Sequence, residues 1–448
     1  MSFDRIAEFV LAGQGTPQSA LDMAATLLID TVGVAAGAAG MEAGRIAYDH
    51  AFAFHGAGAP EHAAYMMFDG RRASIPGAAF AAATQIDNLD AHDGLNPTKG
   101  HIGCAVVPAL FAFAEARPEL SARDALSALV MSYEVAARAA FALHATVSDY
   151  HTSGAWNALG VAALGCRLMG AGPDRLRNAL GIAEYHGPRS QMMREIANPT
   201  MLHDGSGMGA LVGEMAALLA MDGFTGAPAI TVEADDVEDC WSDLGKLWTV
   251  EHNYIKPYPI CRWAHAALDA LSGLMRDHGF SAGDVTRIEV NTFSEAAALF
   301  PGMPATTSQA QYSLPFALAV MLVHGRIGPG HISGTALNDP KVSEVLALIA
   351  VREEDRHSNC FPGGRWSDLT VTLKEGTRLA SGDVHARGGP EAPMDQSEIK
   401  AKFRVMTAAL PEPRVTALWE MRERLLQPEA KFSELAQLVR APVEKNHV

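Results

Sequence analysis

The chain has 448 residues, of which 48% are hydrophobic and 19% are charged, and its formal net charge is −16. This apolar content is enough to bury a large core, which argues against a disordered chain, and the length predicts two or three structural units. The acidic balance disfavours nucleic acid and anionic membrane surfaces as partners, whereas a local basic pocket would still bind an acidic substrate.

The cysteines and the N-terminus indicate the compartment. The five cysteines are odd in number, widely spaced and without a CxxC pair: Cys104, Cys166, Cys240, Cys261 and Cys360. This usage predicts reduced thiols, with neither a disulfide framework nor a zinc site. The first five residues do not resemble a signal peptide, and the apolar runs are interrupted before the roughly 20 positions of a membrane span. We therefore expect a soluble cytoplasmic protein with no membrane partner.

The first half of the chain has helical periodicity. Apolar residues recur every three or four positions, as from Leu21 to Val32, and Gly or Pro marks the joints between such stretches. The pattern predicts helices at 18–37, 74–90, 104–117, 123–143, 153–170, 174–185 and 205–222.

The second half mixes strands and helices. Polar and apolar residues alternate at 287–293 and 368–373, which predicts two half-buried strands, and the turn-like segment 374–377 predicts a hairpin partner after the second. Helices are predicted at 262–279, 312–325, 339–352, 400–409 and 413–426. The expected fold is mostly α with an α+β second domain: a helical domain at 1–255, an α+β lid at 256–395 and a return to the helical domain at 396–448.

The segment 85–103 is rich in Asp and His and forms a loop after an Ala-rich helix. Loops on a rigid scaffold carry function more often than their share of the sequence. The residues allow three interpretations: an acid–base cluster, a solvated loop in which Asp93 caps the next helix, or a metal site.

A second candidate lies at a helix–helix joint. His151 is suited to general acid or base chemistry because its unperturbed pKa is near neutrality, although a lone histidine is more often structural. Ser153 or Thr152 is expected to cap the following helix.

Two further segments contain charged or glycine-rich patterns. In 253–262 two prolines fix an extended segment in which Lys256 and Arg262 are placed to bind carboxylates, unless the segment is an ordinary linker. The segment 202–209, which includes His203, contains three glycines, and no predicted strand precedes it. Close helix packing therefore explains these glycines better than a dinucleotide-binding site does. The chain contains no Walker A or G-x-S-x-G sequence, and Cys104 and Cys261 are weak nucleophile candidates.

Five segments, in this order and over nearly the whole chain, resemble the MmgE/PrpD family: Ile86–Asp90 with His101, Tyr150–His151, Gly209–Gly226, Lys256–His265 and Ala310–Ala317. The resemblance implies a helical domain with an α+β lid, an active site in the cleft between them, a homodimer and no cofactor or metal. Carried over by position, it implies four catalytic residues: Asp87, His101, His151 and Lys256. It also implies four substrate-binding residues: Asp90, Tyr150, His203 and Arg262.

The chain departs from the pattern of the decarboxylase-like members at three positions. It has Ala91 where they carry Thr, Thr200 where they carry Lys, and Phe316 where a lid tyrosine is expected. These differences remove hydrogen-bond donors and one positive charge. They favour an epimerase, similar to iminodisuccinate epimerase, that abstracts a proton alpha to a carboxylate of a small di- or tricarboxylic acid. The alternatives are a lyase of the same family, either dehydratase or decarboxylase, and a non-catalytic metabolite-binding relative.

Overall fold

The computed structural model describes residues 3–13 and 15–443. Up to residue 241 these residues form twelve α-helices: α1 (Phe3–Ala12), α2 (Gln18–Ala38), α3 (Glu42–Phe54), α4 (Ile75–Asp87), α5 (Gly103–Ala114), α6 (Ala122–Thr146), α7 (Gly154–Leu168), α8 (Pro173–His186), α9 (Met192–Ala197), α10 (Ser206–Met221), α11 (Ile230–Glu233) and α12 (Glu238–Trp241). A short antiparallel ribbon that the sequence did not predict separates α3 from α4: β1 (Ala63–Tyr65) and β2 (Arg72–Ser74).

Glycine and alanine bring the helices of this part close together. Helix α10 packs against α7 and α4. A Cβ atom on Gly209 would lie 2.8 Å from the Cα of Gly154, and one on Gly207 would lie 2.1 Å from Thr84 Oγ1. Because side chains there would collide, the glycines at the start of α10 serve close helix packing, as predicted.

The following part contains six helices and a mixed sheet. The helices are α13 (His265–His278), α14 (Ser294–Ala297), α15 (Thr307–Gln311), α16 (Leu314–His324), α17 (Pro340–Leu346) and α18 (Asp355–Ser358). The strands are β3 (Val285–Thr292), β4 (Ile349–Glu353), β5 (Trp366–Leu373), β6 (Arg378–Ala380) and β7 (Val384–His385). Their order is β4-β3-β5-β6, with β7 beside β5; β3 and β4 are parallel and the other pairs antiparallel.

The two predicted strands and the hairpin partner are confirmed as β3, β5 and β6. The helix predicted at 339–352 is wrong in its second half, where the chain forms β4. Residue Ile349 pairs there with Ile288 of β3. A strand partner distant in sequence overrides the local helical pattern.

The chain ends in three helices: α19 (Gln396–Met406), α20 (Glu412–Arg424) and α21 (Phe432–Arg440). Helices α19 and α20 contact α2, and α21 contacts α5. By length and composition, α2 and α6 would each be able to span a membrane, but 78% and 94% of their most apolar windows are buried inside the protein. The fold is therefore mostly helical with a smaller α+β part, as the sequence predicts.

Candidate functional site

A narrow cavity lies between the helical part and the α+β part. Its free space is about 20 Å³, which accommodates roughly one water molecule. It is lined by Asp90, Lys99, His101, Tyr150, Met192, Ile196, Asp204, Tyr254, Cys261, Arg262, Trp263, Tyr312 and Arg365.

Backbone strain is concentrated around this cavity. Within the described chain four non-glycine residues have a left-handed φ, and three of them lie in or beside the cavity: Asp90 (+54°), Lys99 (+58°) and His203 (+47°). Such conformations cost free energy and persist where surrounding contacts hold them, which is typical of functional sites.

Lys256 forms a buried ion pair with Asp90. The ammonium group contacts Asp90 Oδ1, and the side chains are 0% and 3% exposed. Burial raises the pKa of Asp90, an effect that Lys256 opposes. Asp90 Oδ2 has no hydrogen-bond partner among the described residues. The pair therefore holds the Lys256 ammonium group behind the cavity wall and leaves one carboxylate oxygen to accept a further hydrogen bond.

His101 is held as a neutral ring with its proton on Nδ1. Nδ1 lies 2.7 Å from the Asp93 carbonyl oxygen, which only accepts hydrogen bonds, so Nδ1 donates. Burial lowers the pKa of His101 to about 4. Its other nitrogen, Nε2, therefore carries a lone pair at neutral pH and lies 3.8 Å from Asp204 Oδ2. This is the arrangement that a general base requires.

Ser153 joins these two residues. Its hydroxyl accepts a hydrogen bond from the His101 backbone N–H at 3.0 Å and donates one to Asp204 Oδ1 at 2.8 Å. The expectation that Ser153 or Thr152 caps α7 is wrong, because the Thr152 hydroxyl donates to the Pro188 carbonyl instead and Ser153 makes no cap hydrogen bond. Ser153 therefore fixes the position of the His101 backbone relative to the Asp204 carboxyl group.

Asp87 lies behind the cavity lining. Its Oδ2 accepts from the Ser206 backbone N–H at 3.1 Å, and its Oδ1 lies 3.7 Å from His92 Nε2. Burial, followed by the nearby Asp204 carboxylate, raises the pKa of Asp87 well above its usual value. Asp87 therefore contacts the residues that surround the cavity and does not line it.

Positive charge exceeds negative charge in the lining. Three cationic side chains face two carboxylates, Asp90 and Asp204, and Asp90 is already paired with Lys256. Arg262 and Arg365 direct guanidinium nitrogens at main-chain carbonyls, including those of Ala386 and Asn96, at 2.9 and 3.5 Å.

Each of these two arginines keeps a buried Nε atom without a hydrogen-bond partner in the described part of the chain. The third cation, Lys99, lies 5.0 Å from the ring of Tyr150. A buried cavity with surplus cations and unpaired donors favours an anionic ligand.

A tyrosine and a histidine meet in this region. The Tyr312 hydroxyl lies 3.5 Å from His203 Nδ1, and burial lowers the pKa of His203 to about 3. Tyr312 lies in the segment Ala310–Ala317, but the sequence alone predicts no role for it. Phe316, one helical turn further on, is fully buried and does not line the cavity. Tyr312 therefore supplies the cavity with a hydroxyl group that Phe316 lacks.

The structure does not bring His151 to the cavity. Its Nδ1 donates to the carbonyl of Asp149 at 3.0 Å, and its backbone pairs with Gln191. The neighbouring Tyr150 does line the cavity, and its hydroxyl donates to the Lys99 carbonyl. A catalytic role for His151 stays a prediction that these contacts do not support.

Two buried groups near the cavity have a composition that would suit a metal ion. Asp87 and His92 form one with Cys104, and Asp90, His92 and His101 form the other. Burial raises the pKa of the Cys104 thiol well above its usual value, which opposes the thiolate that a metal prefers. In the second group the Lys256 ammonium group is paired with Asp90 Oδ1, and its positive charge opposes a metal cation beside it. These contacts favour acid–base chemistry over metal binding.

Comparison with known proteins places this site in a family. The model of the MmgE/PrpD N-terminal domain matches residues 4–248, and that of the MmgE/PrpD C-terminal domain matches residues 258–426. The chain belongs to the MmgE/PrpD family. The resemblance carried by the five sequence segments is therefore confirmed. The curated relatives of the chain in this family are enzymes.

Several curated MmgE/PrpD relatives are cis-aconitate decarboxylases. The human protein is 25% identical over 348 residues, which cover 73% of this chain and 71% of the relative. The mouse protein is 25% identical over 73% of this chain and 70% of the relative. That of Aspergillus terreus is 22% identical over 83% of this chain and 81% of the relative.

Within the MmgE/PrpD fold, sequence reasoning missed part of the cavity lining. Four of the missed residues lie in segments that the sequence singles out: Lys99, Asp204, Tyr254 and Tyr312. Their proximity in sequence to the predicted residues is the signal that would have identified them. Arg365 follows two glycines directly before β5 and belongs to none of those segments. Only the packing of the α+β part on the loop at 88–101 reveals it.

Proposed function

We propose that this protein is a lyase that acts on a small di- or tricarboxylic acid and moves a proton at the carbon alpha to a carboxylate, without a cofactor. The observation that carries the proposal is the buried cavity in which surplus cations lie beside a neutral histidine. Arg262, Arg365 and Lys99 supply charges that neutralise substrate carboxylates, and Lys256 supplies another behind Asp90.

His101 is the proposed base. With a pKa of about 4 it is unprotonated at neutral pH, and Nε2 is its free nitrogen. When it takes the alpha proton, cations near the carboxylate stabilise the negative charge that develops there. The Tyr312 hydroxyl, which lines the cavity, is the proposed proton donor, and burial raises the pKa of the neighbouring Asp204 carboxyl group.

The names of the relatives support the lyase. A decarboxylase breaks the bond between the alpha carbon and a carboxylate, releases carbon dioxide and places a proton on the carbon left behind. A dehydratase removes the alpha proton and releases hydroxide from the neighbouring carbon. Both reactions use the same carboxylate-binding cations and the same proton-transfer groups.

An epimerase is the second candidate, and the residue at position 91 favours it. Ala91 is fully buried and carries no hydrogen-bond donor. Where a donor that would assist a leaving group is missing, elimination is slowed, and a second group such as the Tyr312 hydroxyl delivers a proton to the face opposite the one from which His101 removed it. The same base then catalyses exchange without elimination.

The test is proton NMR in deuterium oxide with citrate, 2-methylcitrate, cis-aconitate, malate, tartrate and iminodisuccinate. We expect one of these acids to lose an alpha-proton signal and to give an elimination or decarboxylation product. His101→Ala should reduce the rate by about 10²–10⁴-fold, because proton transfer by a positioned base contributes that much. His186→Ala, an exposed histidine on α8, is the matched control and should retain the rate.

The other outcomes separate the alternatives. Exchange with inversion and no elimination would favour the epimerase. Binding without exchange or conversion would identify a non-catalytic metabolite-binding relative. A large loss in His151→Ala would restore the role that the sequence suggested for His151, and full activity in His101→Ala would overturn the proposed base.

A further inference from the structure

A second buried ion pair reaches the active-site loop from the end of the chain. Lys402 Nζ in α19 lies 2.6 Å from Asp30 Oδ2 in α2, and the two side chains are 2% and 1% exposed. The same ammonium group donates to the Ala91 carbonyl at 2.7 Å. One buried cation thus connects the C-terminal helices, an N-terminal core helix and the loop that carries Asp90.

The carbonyl that Lys402 holds follows the strained residue of that loop. Asp90, directly before Ala91, has a φ of +54° and makes the contact with Lys256. Two residues after Ala91, the Asp93 carbonyl accepts the hydrogen bond that fixes the ring of His101. Fixing the Ala91 carbonyl therefore constrains the backbone between the Lys256 contact and the His101 contact. A strained conformation of this kind persists only where its surroundings hold it.

Neither Lys402 nor Asp30 lines the cavity. We propose that Lys402 is a positioning residue: through its hydrogen bond to the Ala91 carbonyl it holds the loop at 90–93 in the geometry that places Asp90, Lys256 and His101 for proton transfer. The inference rests on the proposed function for its kinetic readout. Asp30 acts by neutralising Lys402 so that a charged donor is tolerated in the core.

A structural ion pair and a positioning residue predict different results for the double variant Asp30→Leu/Lys402→Met. Replacing both members of a buried pair by apolar residues of similar size is often neutral for stability, because no unpaired charge remains. The double variant nevertheless lacks the donor to the Ala91 carbonyl. We expect it to fold with a thermal midpoint near that of the wild type and to lose about tenfold or more in kcat, with KM changed less than about threefold, because small displacements of catalytic groups are costly.

Asp30→Asn is the matched variant that keeps Lys402 and offers it an amide oxygen in place of the carboxylate. Because the buried ammonium group loses its counter-charge, we expect this variant to be less stable but, below its thermal midpoint, to retain most of kcat. A double variant with wild-type kcat would show that the pair is only structural and would overturn the proposal. Should the double variant fail to fold, Lys402→Met replaces it. Equal kcat in Lys402→Met and Asp30→Asn would then overturn the proposal, and a lower kcat in Lys402→Met would support it.

Hydrogen–deuterium exchange monitored by mass spectrometry separates this inference from the proposed function. In the double variant, peptides spanning 88–93 should exchange about tenfold or more faster, while those from α7 stay unchanged. Unchanged exchange at 88–93 would overturn the positioning role even if the enzyme is active. A wild-type protein that converts none of the acids would contradict the proposed function, while the exchange comparison would still test the position of the loop.

Discussion

At the scale of the residue, the proposed proton transfer depends on His101, and the surroundings of this side chain determine its protonation state. Burial is the largest cause of its low pKa, and Lys256 is the next. The hydrogen bond from Nδ1 to the Asp93 carbonyl directs the lone pair of Nε2 toward the side of Asp204. The ring is therefore a weak base that is present in its reactive form over the whole neutral range.

This protonation state predicts the pH dependence of catalysis. A base is active when unprotonated, so kcat/KM should stay level as the pH falls from 7 and decline only as the pH passes through about 4. A histidine with an unperturbed pKa would impose the decline near pH 6.5. The measurement is a kcat/KM profile from pH 3.5 to 8, with the titration of the substrate determined separately. A decline centred near pH 6.5 would contradict the buried, neutral His101.

At the scale of the element, the contact between α7 and α10 positions the residues on both sides of the site. Ser153 directly precedes α7, and Asp204 lies two residues before the start of α10. The helices approach closely because Gly154 and Gly209 lie opposite each other. The backbone hydrogen bond from Gly154 N–H to the Asp204 carbonyl, 2.9 Å long, depends on this approach.

Gly209→Val should separate these helices. The added Cβ alone would lie 2.8 Å from Gly154 atoms, so we expect a loss of about 1–3 kcal/mol in the free energy of unfolding, as overpacking typically costs. Chemical denaturation measures the loss. Gly172→Ala is the control, because a Cβ there meets no atom within 4 Å. Equal stability of the two variants would contradict the tight contact.

At the scale of the whole molecule, α10 presents an apolar face to solvent. Met208 and Met215, seven residues apart on one side of the helix, are each 45% exposed. Exposed apolar surface of this kind is typical of an interface with another protein. The homodimer that the family resemblance implies is expected to use this face.

Met208→Glu/Met215→Glu tests that interface. We expect light scattering after size-exclusion chromatography to give the mass of two chains for the wild type and of one chain for the double variant, because buried charges oppose association. Val405→Glu, which alters a 41% exposed residue on α19, should leave the dimer intact. A wild-type mass of one chain would contradict the homodimer, and a dimeric double variant would contradict the use of α10.

The cavity is a feature of the whole molecule, because residues of both the helical part and the α+β part line it. A free space of about 20 Å³ is far smaller than a tricarboxylic acid. The proposed function therefore requires the side chains that line the cavity, including Arg262 and Arg365, to move apart before substrate enters. Closure would then bring the cations onto the substrate carboxylates and exclude water.

The sequence by itself determined the features that depend on neighbours along the chain. The sequence alone predicts the helical periods, the alternation of β3 and β5 and the loop rich in Asp and His. Each of these patterns lies within about a dozen consecutive residues. The sequence alone therefore identifies the loop, the segment at 253–262 and Tyr150. The family motifs in their fixed order added the expectation of a helical domain with an α+β part.

Only the tertiary structure decided which of these residues meet. Strand β4 forms because β3 offers it a partner. Arg365 and Lys402 reach the loop from parts of the chain distant in sequence, whereas His151, beside a lining residue, points elsewhere. Such contacts depend on how helices and sheet pack and close the chain, and burial then sets the pKa values of the groups they enclose. No local pattern encodes either effect, so only the folded structure shows the protonation state of His101.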